Sequence, residues 1–396
     1  MFRLLSLIFI IITLSGCAAL TDLSDSVTGL FSDSDNSEPP AELTDYEAEV
    51  KLEIVWDKSD GVGADELAVN LVPAIAARGT QLVIADHDGL IQARNIEDGK
   101  LLWEVETGLP ISAGPVVAGD LLFIATSKAE VLAMDVTTGE AIWKQKVSSE
   151  VLALPVVAGD KVLIRCNDGK DFALLVENGW QVWELEHNAP ALSLRGEGSA
   201  VIIDESAIFG YANGKLIAIN LVDGAHLWET SIAIPRGRSE VERLTDINAT
   251  PLLINDTIFV SSFNNGVSAV EPIDGGVLWR NEAVSAVFGL HADYSYLYLS
   301  DDSSDIWQLD QRNGASYWKQ TALHQRRLSI PLVYEDYVVV GDFEGYLHWL
   351  SRTDGRLLGR IEITDEPIVA QPVMIDNVLY VYASDGTLAA VKVVLF

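Results

Sequence analysis

The sequence predicts an all-β protein, a single eight-bladed β-propeller with four-stranded blades. A phrase of the form Ala-x-Asp/Asn-x-x-x-Gly-x-x-x-Trp recurs, as in AMDVTTGEAIW ending at Trp143. The tryptophans Trp103, Trp143, Trp183, Trp228, Trp279 and Trp318 follow one another at intervals of 40, 40, 45, 51 and 39 residues. The runs between them, such as DLLFIATSKAEVLAMD, alternate and are rich in β-branched residues, the pattern of strands rather than helices. A period of about 40 residues holds four short strands with their turns, which is one propeller blade.

Each unit carries two turn signals. Asp/Asn with the Gly of the phrase supplies a turn that needs positive φ. A second signal opens each unit, as in PVVAGDLLFI from Pro115, PVVAGDKVLI from Pro155 and PLLINDTIFV from Pro251. It recurs from Pro331 and Pro372, and in weaker form from Pro73, Ser199 and Phe288, making eight units. Its Asp/Asn residues mark a hairpin between the first and second strands. The Trp, four residues after Gly, falls on the outer strand, where a large flat side chain seals one blade against the next. These tryptophans are therefore read as structural docking residues. DGRLLG has Gly359 where Trp is expected, so that interface should be sealed differently. The last unit ends without a Gly-x-x-x-Trp, whereas KLEIVW holds Trp56 on an orphan strand. That strand is expected to complete the last blade and close the ring.

Ahead of the propeller, assigned to residues 50–396, lie two segments of different character. Residues 1–16 read as a signal peptide with Arg3 and a short apolar run, too short to span a bilayer. LSGC at 14–17 resembles the bacterial lipobox, which implies cleavage before Cys17 and acylation of that residue. Ala18 stands where retention in the inner membrane usually shows Asp, which favours the outer membrane, facing the periplasm. Residues 17–49 are acidic, Ser-rich and carry Pro39-Pro40, a composition read as a flexible tether.

Composition narrows the function. With 26 Lys+Arg against 58 Asp+Glu the formal charge is -32, which repels phosphate backbones and excludes nucleic acid as a partner. None of the six histidines shows a close metal-binding spacing. His87 in ADHDG and the DDSSD of 301–305 read as turns rather than metal loops. Cys166, in a strand-like run, reads as a small core residue. The repeats resemble those of pyrroloquinoline-quinone dehydrogenases, but those enzymes commonly carry adjacent cysteines, and this chain has no Cys pair. No catalytic residues, metal or cofactor are expected. A quinone-dependent enzyme and a glycan-binding propeller using Trp180, Trp307 and Trp349 are the alternatives to a scaffold.

Function on a propeller resides in connections that depart from the repeat. Trp103 to Pro115 and Trp143 to Pro155 are each 12 residues, whereas Trp183 to Ser199 is 16 and Trp228 to Pro251 is 23. These consecutive long connections should be neighbours on one face. The first presents Leu192, Leu194 and Arg195; the second presents Arg236, Arg238, Arg243, Asp246 and Asn248. The segments alone fit either an interface or a plug of leucines in the ring's mouth.

Lipobox, acidic linker and eight-bladed propeller together resemble the BamB family, lipoproteins of the outer-membrane β-barrel assembly machinery. The resemblance spans essentially the whole chain, and its most specific pieces are SLRGE at 193–197, RLTDINATP at 243–251 and GDFEGYLHWL at 341–350. It implies a non-catalytic scaffold whose two long loops bind the periplasmic domains of the central barrel subunit, BamA, through Leu192, Leu194, Arg195, Asp246 and Asn248. At the last position the family often has Asp, so Asn248 removes a charge. Nascent outer-membrane β-barrel proteins are a further candidate partner, through strand addition at exposed edges, for which the sequence itself carries no signal.

Overall fold

In the computed structural model the described residues are 38–394, apart from 60, 62, 64–69, 72–73, 76–79, 188–189, 191, 195–197, 285 and 287. The signal peptide and Cys17 lie outside them. Eight antiparallel sheets follow one another along the chain as the blades of one propeller. Blade 3 is representative: Val156–Ala158 innermost, then Lys161–Arg165, Lys170–Leu175 and, outermost, Gln181–Glu186. Blades 1 to 7 end on the outer strands Leu101–Glu106, Ala141–Lys146, Gln181–Glu186, His226–Ser231, Val277–Asn281, Ser316–Gln320 and Leu357–Glu362.

Blade 8 is built as the orphan strand implied. Lys51–Ser59 pairs antiparallel with Thr387–Val394, with Trp56 opposite Ala390, so the two ends of the propeller chain share one sheet. Blade 2 has an addition with no signal in the sequence. Asn70–Leu71 runs parallel to Ala113–Gly114 of its innermost strand, making a fifth strand there.

The repeated phrase is a docking device between blades. In seven blades the outer-strand indole N–H donates to a backbone carbonyl of the next blade, three residues before that blade's Gly, at 2.8–3.2 Å. Trp103, for example, reaches Val136 O, and the ring lies over Gly139. That glycine has φ of 72°, and a Cβ added there would come within 2.7 Å of the indole. The Gly is therefore required twice, for backbone conformation and for close approach. The Ala of the phrase is the cross-strand neighbour of its own Trp, as in Ala93 with Trp103 and Ala133 with Trp143. A small residue there leaves room for the indole. The cores follow the same logic, each drawing on two adjacent blades; Val83, Ile91, Leu122 and Met134 of blades 1 and 2 form one such layer with Trp103.

At blade 7 the pair is exchanged. Gly359 sits opposite Trp349, so the large side chain is on the third strand and the small one on the outer strand. Trp349 is buried in one cluster with Leu379, Val381 and Val391 of blade 8. Blade 8 is joined to its outer strand by pairing alone, so it has no Gly turn on which a blade 7 Trp could dock. Val50 lies against Gly359 instead: a Cβ there would approach Val50 Cγ2 to 2.5 Å.

Each outer strand has a register shift immediately before its Trp or, in blade 7, Gly359. The bulged residues Val55, Leu102, Ile142, Val182, Leu227, Leu278 and Tyr317 are exposed apolar side chains. A bulge interrupts the ladder and blunts an edge that would otherwise invite strand addition.

Residues 41–49, which composition assigns to the tether, are pinned together with Val50 along blade 7 and belong to the same compact unit as the propeller. Ala41 N donates to His324 O, Arg326 donates to Ala41 O, and Leu43 packs with Tyr298, Leu323 and Leu328. Arg356 holds Glu49 through two hydrogen bonds of 3.0 and 2.8 Å, and the Glu49 and Val50 amides both donate to Leu358 O. Composition missed this strap because arginines and backbone carbonyls hold it more than apolar burial does.

Two outcomes are expected. Gly119→Ala, where φ is 61° and nothing stands within 4 Å of a Cβ, should cost about 1–2 kcal/mol from backbone strain alone. Gly314→Ala, whose Cβ would meet Trp279 at 2.6 Å, should add roughly 1–3 kcal/mol of overpacking, read by chemical denaturation. Equal losses would contradict the docking role. For the strap, the hydrogen bond from Arg356 holds the Glu49 carboxyl below its ordinary range. Its contribution is therefore present above that range and lost as pH falls through it. Arg356→Ala should leave the fold intact while a Glu-specific protease cuts at Glu47 and Glu49 faster; unchanged cleavage would show that the pair does not hold the strap.

Candidate partner-binding face

Strand alternation puts the connections between blades and the turns between second and third strands on one face. Two consecutive connections there are long: 187–200 between blades 3 and 4, and 232–251 between blades 4 and 5. They are joined to each other. Leu194 N donates to Asp246 Oδ1 at 2.7 Å, and Ser199 N donates to Thr250 Oγ1 at 2.9 Å. Gly198 lies so close that a Cβ would come within 2.6 Å of the Ala249 backbone.

The second loop is also tied to the turns beneath it. Phe263 N donates to Asp246 O, Ile234 N to Asn265 Oδ1 and Asn264 Nδ2 to Val241 O. Ile232, Leu244 and Ile247 are buried and anchor it. At its tip Glu242 accepts hydrogen bonds from the amides of Arg238 and Ser239, while Ser239 Oγ accepts from Glu242 N, the reciprocal pattern of a capping box.

The sequence-selected residues divide into an outward and an inward set. Leu192 is 49 % exposed and Leu194 half-buried. Asp246 is 1 % exposed and points inward as a brace for the Leu194 amide. Burial pushes its carboxyl above the ordinary aspartate range. Asn248 is half-buried, and its Nδ2 has no hydrogen-bond partner among the described residues. Arg195 lies outside the described residues. Arg236, Arg238 and Arg243 are exposed; Arg236 pairs with Glu282 at 2.9 Å and Arg243 stands 3.9 Å from Glu240.

Sequence reasoning passed over Ile234, Val241 and, in the next connection, Phe288, which are 49 %, 60 % and 59 % exposed. For Ile234 and Val241, their place in a long connection beside the arginines was the available signal. The remaining candidates lie away from this pair of loops. Asp86 and Asp301 each accept backbone amides within their own turns. Trp349 is buried, Trp307 donates to Asp301 Oδ2, and Trp180 is exposed on a turn of the opposite face. Among the described residues, no group of three or more His, Cys, Asp or Glu could hold a metal ion.

Residues 87–320 match the family model described as outer membrane protein assembly factor BamB. The chain belongs to the BamB family. The BamB of Pseudomonas aeruginosa is 47 % identical over 373 residues, 94 % of this chain and 97 % of that protein. The BamB of Legionella pneumophila is 41 % identical across 99 % of both chains. Among solved structures, BamB from Moraxella catarrhalis superposes with a TM-score of 0.77 at 23 % identity, covering 86 % of this chain and 100 % of that one. A quinohemoprotein alcohol dehydrogenase from Comamonas testosteroni shares the fold alone, at a TM-score of 0.65 and 12 % identity, covering 86 % of this chain and 76 % of that one.

If Asp246 braces the face from below, Asp246→Ala should strand the Leu194 amide at a cost of roughly 1–3 kcal/mol. Amide exchange at Leu194 should accelerate, whereas Asp246→Asn, which keeps one acceptor oxygen, should protect it. Equal exchange in the two variants would contradict the brace.

Proposed function

We propose that this chain is a non-catalytic scaffold of outer-membrane protein assembly, held at the periplasmic side of the outer membrane by acylated Cys17, whose two long loops grip the periplasmic domains of BamA. Membership of the BamB family supports the assembly role and outer-membrane association. The observation that carries the binding mode is Leu192, half exposed on a loop pinned to its neighbour by Asp246. An apolar side chain on a rigid, pre-formed loop is the usual anchor of a protein interface.

The charges fit this reading. On a chain of formal charge -32, the second loop is formally neutral, with Arg236, Arg238 and Arg243 balanced by Glu240, Glu242 and Asp246, so it does not share the acidity of the rest and can meet a partner group of either sign. Leu192 and Leu194 would fill an apolar groove, Arg195 would meet a carboxylate or carbonyl, and Asp246 and Asn248 would hold the loops from behind. With the chain pinned from Ala41 onward, the segment from Cys17 spans at most roughly 80 Å when extended. Such a tether raises the effective concentration of propeller and partner at one membrane.

The test is titration of the purified periplasmic domains of BamA with the chain. Leu192→Glu should weaken binding by roughly thirtyfold or more. Ile273→Glu, at an 84 % exposed site on the opposite face, should bind as wild type. Equal affinity for all three proteins would move the interface elsewhere, and no binding by wild type would remove BamA as the partner.

A further inference from the structure

Beneath the two loops lies a buried polar cluster assembled from two blades. Arg165 ends the second strand of blade 3 and Asp171 belongs to its third strand; Tyr211 follows the second strand of blade 4. The Tyr211 hydroxyl donates to Asp171 Oδ2 at 2.5 Å. The Arg165 guanidinium stacks 4.5 Å from the Tyr211 ring centre. These side chains are 5 %, 1 % and 5 % exposed.

Both loops are tied to this cluster. Arg165 Nη1 donates to Gly198 O at 3.2 Å, near the end of the first loop, and to Gly210 O. His187, at the start of that loop, lies with its ring 4.3 Å from Tyr211 and its Nε2 3.6 Å from Asp171 Oδ2. Tyr211 O accepts the Ile247 amide of the second loop at 3.3 Å. The first loop thus meets the buried side chains at two points, Gly198 and His187, and the second loop is held by the main chain of Tyr211, whose ring the cluster fixes.

The geometry points to Arg165, Asp171 and Tyr211 as a clasp that positions both loops for the protein partner without touching it. A buried charged network is costly to leave half satisfied and holds its neighbours in one arrangement when complete. In blades 1, 2 and 7 the equivalent turns have Asp86, Thr126 or Asp342 accepting their own amides, and blade 7 also buries an Arg326–Asp342 pair; only the cluster of blades 3 and 4 lies beneath the two long loops. The clasp deepens the proposed partner-binding role and rests on it only where affinity is concerned.

The clasp also carries a distinguishing signature. Burial pushes the Asp171 carboxyl up to about 6, against the opposing pull of Arg165 and Tyr211; Asp168 is a further charge nearby. His187 is held below its ordinary value by burial and by Arg165, with His226 adding to that shift and Glu229 opposing it. Because the folded-state value of Asp171 is raised, its contribution to stability declines as pH rises from the ordinary aspartate range to about 6 and is flat above. Mild acid therefore neutralises Asp171 without destabilising the fold through this group. The charge-assisted bond from Tyr211 is weakened all the same.

Two measurements on the full chain test this. Amide exchange protection at Leu194, Ser199 and Ile247 should fall by roughly tenfold in Tyr211→Phe, with blade 1 amides unchanged. Affinity for the periplasmic domains of BamA should fall by about tenfold in Tyr211→Phe and, in wild type, on acidification through about pH 6. Asp171→Asn should keep the melting temperature of wild type at neutral pH, bind with the weakened affinity and lose the step near pH 6. Unchanged protection in Tyr211→Phe overturns the clasp whether or not any partner binds. Wild-type affinity and an unaltered pH profile in both variants, while Leu192→Glu abolishes binding, overturn its positioning role and leave the interface standing. Failure of wild type to bind would sink the proposed partner, and the exchange arm would still decide the clasp.

Discussion

The whole ring depends on one contact, an indole laid over a glycine. A blade is a thin sheet that cannot bury both faces alone, so its stability resides in the neighbour interface. The Trp of one blade covers the Gly turn of the next and donates its N–H to that turn's carbonyl, as Trp228 does with Gly275 and Pro272 O. The aromatic surface supplies the burial, and the hydrogen bond sets position along the strand direction. Because the contact passes from each blade to its successor, mutual consistency around the circle is what makes the ring close.

Closure explains the departures from the repeat. The last blade takes its outer strand from Lys51–Ser59 and so lacks the turn that would receive an indole. The preceding blade accordingly exchanges large and small, with Trp349 facing Gly359, and residues 49–50 lie over the gap. Trp56 then docks on blade 1 through Ile96 O as any other outer-strand Trp would. The same chain end continues back along blade 7 as the strap of residues 41–50, so ring closure and the departure of the N-terminal segment are one construction.

A regular ring offers eight similar connections, and a specific partner needs one sector that differs. The two consecutive long connections are the candidate for it, since they bond to each other and to buried polar groups below. Asp246 supports Leu194 from one side, and Arg165 holds Gly198 from the other. The exposed leucine is thus presented on a pre-organised surface, with the ordering of its loop completed during folding.

The sequence by itself determined the blade number, the strand order within each blade, the docking tryptophans and the closing role of Trp56, because each is a local pattern repeated at a fixed period. It also marked one candidate sector, since two consecutive connections exceed the ordinary length. Tertiary structure alone decided the rest. That Asp246 faces inward while Leu192 faces out depends on which loop lies over which, and residues 52 positions apart meet only after the blades stack. Trp349 reads in sequence as a spare tryptophan; only strand pairing puts it opposite Gly359. Residues 41–49 have the composition of a tether, yet arginines from 326 and 356 hold them. The buried cluster of Arg165, Asp171 and Tyr211 leaves no motif at all, because its members come from two blades and no local spacing encodes a contact across an interface.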